Sequence, residues 1–142
     1  MRSDEPQPLP DLTGFSRYLD AFELREFKAG RAHPSVEIEP GVYSWPSWEN
    51  TPIVSEWHQA LYDRNIIDPE SPYLTEEFAT RMRQFAANPS LLSGQDLPTI
   101  RTVLTYIARG DRFCDGLMAD MFENGAAQAA TRRLVELGQA SS

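Results

Sequence analysis

Ile100, Val103, Leu104 and Ile107 follow one another at intervals of three, one and three residues. That spacing places four apolar side chains on one stripe of an α-helix. No other pattern in the chain is as regular, and it commits the stretch to a helix buried along one side. Asp96 or a neighbour can open this helix, Pro98 is tolerated in its first turn, and Gly110 ends it. The same period returns elsewhere. Phe15, Tyr18, Leu19 and Phe22 form a stripe behind Asp11 or Thr13 as the cap. Val54, Trp57, His58, Leu61 and Tyr62 share one face of a helix started by Thr51-Pro52 or Ser55 and ended by Asn65. Thr75 caps a helix with Glu76 and Glu77 in its first turn, where the dipole favours acids, and Asn88-Pro89 stops it. Asp111 can cap a fifth helix carrying Phe113, Leu117, Met121 and Phe122, which stops at Asn124-Gly125. A sixth turns Ala127, Ala130, Leu134 and Leu137 inward.

One segment breaks the helical pattern. Val36 and Ile38 alternate with Glu37 and Glu39, Pro40-Gly41 suits the centre of a type II turn, and Val42, Tyr43 and Trp45 favour a returning strand. The expected fold is therefore mainly α: a single compact domain of five to six helices with a small β-hairpin near residues 36–45. It spans 11–138, between a mobile proline-rich tail at 1–10 and a frayed end at 139–142. A chain of 142 residues suffices for one respectable core, and 41% hydrophobic with 24% charged residues is a globular composition.

The net charge of −8 is uneven: residues 1–50 carry five bases and nine acids, 51–100 three and seven, and 101–142 five and five. An acidic chain repels nucleic acid and suits a basic partner. No apolar run or signal core marks a membrane or export route, so the expected location is the cytoplasm. Cys114 is the only cysteine, and with His33 and His58 far from it no metal spacing forms; no metal and no cofactor is expected. Phosphate-loop, dinucleotide and zinc-protease motifs are absent from the sequence.

Two constellations are candidate binding groups. Trp45 and Trp48 flank Pro46 and can form a platform for a ligand, although closing the lid of a small core is the commoner use and the expected one. Arg109, Arg112, Arg132 and Arg133 can converge on a phosphate with Asp115 and Glu123 as polar walls. Alternatively, the same residues lock a helical hairpin through ion pairs, with Gly116 admitting a close neighbour, and this is the preferred reading.

The run Arg112-Phe113-Cys114-Asp115-Gly116, preceded by Arg109 and followed by Phe122-Glu123-Asn124-Gly125 and Arg132-Arg133-Leu134, is specific. With Glu56-Trp57-His58 and Asn88-Pro89-Ser90-Leu91-Leu92 upstream, the stretch from Val54 to Leu137 resembles a bacterial domain of unknown function, catalogued as family 6508. Phe113, Cys114, Gly116 and Gly125 are its structural hallmark. Val42-Tyr43-Ser44-Trp45-Pro46 is similar to the family's aromatic-proline loop. Two departures are Leu117, where the family often has a histidine, and Asp68 to Tyr73, where it often has a tryptophan-rich stretch. The resemblance implies a small stand-alone protein, with related segments appended to macro domains that process ADP-ribose.

Together these readings lead to an acidic, non-enzymatic interaction module that regulates or inhibits a protein partner, without direct nucleic-acid or membrane binding. One alternative is a phage-type anti-defence inhibitor that mimics nucleic acid, with Glu37, Glu39, Glu70, Glu76 and Glu77 on one face. Another is a protein that binds or processes a nucleotide such as ADP-ribose, using Arg109 and Arg112 for phosphate and Asp115 or Glu123 for proton transfer.

Overall fold

The computed structural model describes residues 9–45, 47–110 and 117–140. In chain order these form α1 (Ser16–Phe22), β1 (Gly30–His33), β2 (Glu37–Glu39), β3 (Val42–Tyr43), β4 (Ser47–Asn50), α2 (Pro52–Asp63), α3 (Glu76–Ala87), a 3-10 helix (Pro89–Gly94), α4 (Leu97–Gly110), α5 (Leu117–Glu123) and α6 (Ala126–Ala140). The fold is mainly helical, with two small antiparallel strand pairs. No helix among the described residues is long and apolar enough to cross a membrane.

The apolar stripes become the core. Ile100, Val103, Leu104 and Ile107 of α4 are fully buried. Trp57 of α2 is also fully buried, edge-on to Phe22 of α1 at 5.8 Å and to Phe122 of α5 at 5.2 Å between ring centroids. Its Nε1 donates to Thr131 Oγ1 of α6 at 3.0 Å, so the indole's one polar atom is satisfied inside. Helix α6 packs on α1, α4, α5 and the 3-10 helix. Its inner face, Ala126, Ala127, Ala130 and Leu134, is completely buried, and the alanines let neighbouring backbones come close.

Helix boundaries follow local chemistry. Thr75 Oγ1 accepts from Phe78 N at 3.1 Å, capping α3. Asp96 Oδ1 accepts from Thr99 N at 3.1 Å at the start of α4, and its hydrogen bonds with Thr99 hold the carboxyl below the usual carboxylate range. Helix α2 opens with Pro52 after Thr51 and ends before Asn65, whose φ of 59° is left-handed. The α1 cap differs from expectation. Asp11 accepts from Thr13 N and Oγ1, at 3.0 and 2.6 Å, rather than from the helix. The cause is Gly14: its φ of +83° inserts a turn before α1, and a Cβ there would lie 2.9 Å from Arg64 Nη2. Arg64 in turn pairs with Asp11 at 2.9 Å. At the other end, α6 continues through Gly138 to Ala140. Residues 1–8 of the tail, and the expected start of the fifth helix at 111–116, lie outside the described residues.

Gly125 separates α5 from α6 with a φ of +92°, a backbone conformation that costs an L-residue about 1–2 kcal/mol. A Cβ there would have only ordinary contact, 3.7 Å from Pro89 Cγ. Gly125→Ala is therefore expected to lower stability in denaturant melting by about 1–2 kcal/mol through backbone strain alone. Unchanged stability would remove the left-handed turn as the reason for glycine at this position.

The expected hairpin forms, and it is the tip of a longer one. Strand β2 pairs with β3, Glu37 opposite Tyr43 and Glu39 opposite Val42, with a register irregularity between them. Gly41 turns the corner at φ +80°, as a type II turn requires. Below it, β1 pairs with β4 from Gly30↔Asn50 to His33↔Ser47. Thr51 fastens this stem to the body: its backbone N donates to Ala29 O at 2.9 Å and its hydroxyl to Lys28 O at 3.0 Å.

Candidate functional site

A strand ribbon in a helical protein normally lays one face on the core. The β2–β3 tip does not. Every side chain of both strands is exposed. Val36, Ile38, Val42, Tyr43 and Trp45 are 56%, 65%, 49%, 61% and 90% exposed. Their β-branched and aromatic shapes suit a pleated ribbon, and among the described residues no further strand pairs with the outer edge of either one. The segment is closed by Ser44: its N donates to Val36 O at 2.8 Å, its hydroxyl accepts from Val36 N at 3.0 Å, and its carbonyl accepts from Ser35 Oγ at 2.6 Å. The ribbon is thus a built element that presents apolar side chains to water.

This corrects the expectation that Trp45 closes a core. At 90% exposure it shields nothing, because the chain runs outward along the ribbon before returning. Trp48 lies in β4 opposite Ala32. Ile38, Val42 and Tyr43 were not among the expected binding residues. Their local signal, alternation with glutamates, is the same for a ribbon laid on a core and for one left bare.

The described arginines are each oriented by a different partner. Arg132 of α6 pairs with Glu23, just after α1. Arg133 Nε donates to Gln95 O at 2.7 Å and its Nη1 lies 3.5 Å from Glu136. The Arg109 guanidinium sits 5.9 Å from the centre of the Tyr73 ring, and its buried Nε has no hydrogen-bond partner among the described residues. Arg112, Phe113, Cys114, Asp115 and Gly116 lie outside the described residues. His58 behaves as a packed core histidine: Nε2 is 3.1 Å from Ala108 O and the ring meets Tyr62 edge-on at 5.5 Å.

Glu123 is exposed and lines an open cavity of about 570 Å³ with Phe27, Lys28, Asp120, Phe122 and Gln128. Gln128 Nε2 donates to Phe122 O at 3.0 Å, while its buried Oε1 has no hydrogen-bond partner among the described residues. Of the expected site residues that the structure describes, Glu123 alone is in this wall. Among the described residues, no group of three His, Cys, Asp or Glu side chains could hold a metal ion.

The model of a family described as a family of unknown function, DUF6508, matches residues 8–140. The chain belongs to that family. The match begins well before Val54, so the DUF6508 domain includes α1 and the whole ribbon. No curated protein and no solved structure matches the chain.

Proposed function

We propose that this DUF6508 protein is an acidic, non-enzymatic interaction module that regulates or inhibits a protein partner, and that it docks through the β2–β3 ribbon. One observation carries the reading: five large apolar side chains on one short ribbon are between 49% and 90% exposed. They leave on the order of 500 Å² in water, the scale of the largest patch on an ordinary monomer, which is often functional. Single exposed apolar residues need no explanation, but a cluster of five does.

The arginines also weigh in this direction. A nucleic-acid mimic needs an array of carboxylates that nothing neutralises. Here Asp11, Glu23, Glu49, Glu56 and Glu136 each pair with an arginine. Glu37 and Glu39 lie on the ribbon, whereas Glu76 and Glu77 open α3. The five paired acids are thereby neutralised and do not add to such an array.

The test is a variant carrying Ile38→Ser, Tyr43→Ser and Trp45→Ser. Because the three side chains are exposed, the thermal melt is expected to stay close to that of the wild type. Proteins that co-purify with the wild-type chain from cells that encode it are expected to be lost from the variant. The same partners at the same level with the variant would sink the ribbon as docking element. No partner for either chain, together with turnover of a metabolite, would sink the module itself.

A further inference from the structure

Resting on the docking role of the ribbon, we infer that its partner is a protein presenting an apolar groove rimmed by lysine or arginine side chains. The ribbon mixes its chemistry at the scale of single residues. Glu37 stands opposite Tyr43 and Glu39 opposite Val42, with Ile38 between the two glutamates. Both glutamates are exposed, and neither makes an ion pair among the described residues. The contact made by Glu37 is a long one, 3.4 Å from Gly41 N to Oε2. A groove that covers Val42 and Tyr43 also takes in their cross-strand neighbours Glu39 and Glu37 and draws those carboxylates out of water. Burying a charge without a partner is costly, so the groove must supply cations beside its apolar floor.

The other occupants fit less well. A second copy would set glutamate against glutamate on a chain of net charge −8. Nucleic acid and an anionic membrane surface are both repelled by the same charge. A protein groove can instead meet the ribbon along an open strand edge, where main-chain hydrogen bonds add affinity, while alternate side chains enter pockets.

The experiment uses the full chain, immobilised, to select from a random peptide library displayed on phage. Selected peptides are then synthesised and titrated against the wild type, a Tyr43→Ser/Trp45→Ser variant and a Glu37→Gln/Glu39→Gln variant. Circular dichroism checks that all three are folded. Selected peptides are expected to combine Lys or Arg with aromatic or aliphatic residues. Affinity should fall about tenfold or more in the apolar variant. It should fall severalfold in the charge variant, and again between about 50 and about 500 mM salt. Peptides without cations, or binding untouched by the charge variant, would overturn the basic groove and leave the ribbon as the docking element. Peptides held equally by the apolar variant, or no selection above it, would overturn both. A dimer in light scattering that the apolar substitutions disperse would reassign the ribbon to a second copy.

Discussion

Trp57→Ala is expected to remove about 3–5 kcal/mol of stability, a large share of the roughly 5–15 kcal/mol that holds an ordinary domain folded. Trp57 has no exposed surface and joins three helices: its ring meets Phe22 of α1 and Phe122 of α5, and its N–H reaches Thr131 of α6. Phe22 and Phe122 also touch each other, edge to face at 4.9 Å. Truncation therefore opens a void that neighbouring rings cannot fill without leaving their own contacts. It also takes the indole donor from Thr131 Oγ1, which keeps only its own donation to Ala127 O at 2.8 Å. Denaturant unfolding is the measurement. A loss below about 1 kcal/mol, the size of an average substitution, would mean that the aromatic cluster is not the centre of the core.

Thr105→Val should cost about 1–3 kcal/mol although the two side chains have nearly the same shape. Thr105 is fully buried in α4. Its Oγ1 accepts from Asp68 N at 2.9 Å and donates to Arg101 O at 2.7 Å. A valine fills the same space, so no cavity term enters. What it removes is the acceptor for an amide in the segment between α2 and α3. That segment has a second tie: Arg101 donates to Ile66 O at 3.1 Å and to Asn65 O at 2.9 Å. The prediction has a local readout as well, faster hydrogen exchange at Asp68 N in the variant. If both stability and exchange are unchanged, water reaches that amide and the buried hydroxyl does not organise the segment.

The helices were legible because each buries one stripe, and a stripe is written in the spacing of apolar residues. Ile100 to Ile107 shows it best, and the caps at Thr75 and Asp96 are local enough to read directly. Elements without a period of their own were not legible. Gly30-Arg-Ala-His33 and Ser47-Trp-Glu-Asn50 show no alternation; they pair because the β2–β3 turn brings their ends together. Pro89 to Gly94 is too short for a stripe and is held by burial of Leu92. Asp11 carries the chemistry of a helix cap, but the turn at Gly14 moves it away from the helix. The site was the least legible part. Trp45 read as closing a core by type, and its exposure depends on what does not pack over it, which no local pattern records.

None of the side chains from Val36 to Trp45 belongs to the hydrophobic core, which the helices largely supply. Mutational tolerance is therefore divided along the same line. A substitution of an exposed ribbon side chain is expected to cost little in folding. Substitutions behind Trp57 face the full penalty of a packed interior. Stability and surface chemistry are thus set by separate parts of the chain, the packed helices and the exposed tip.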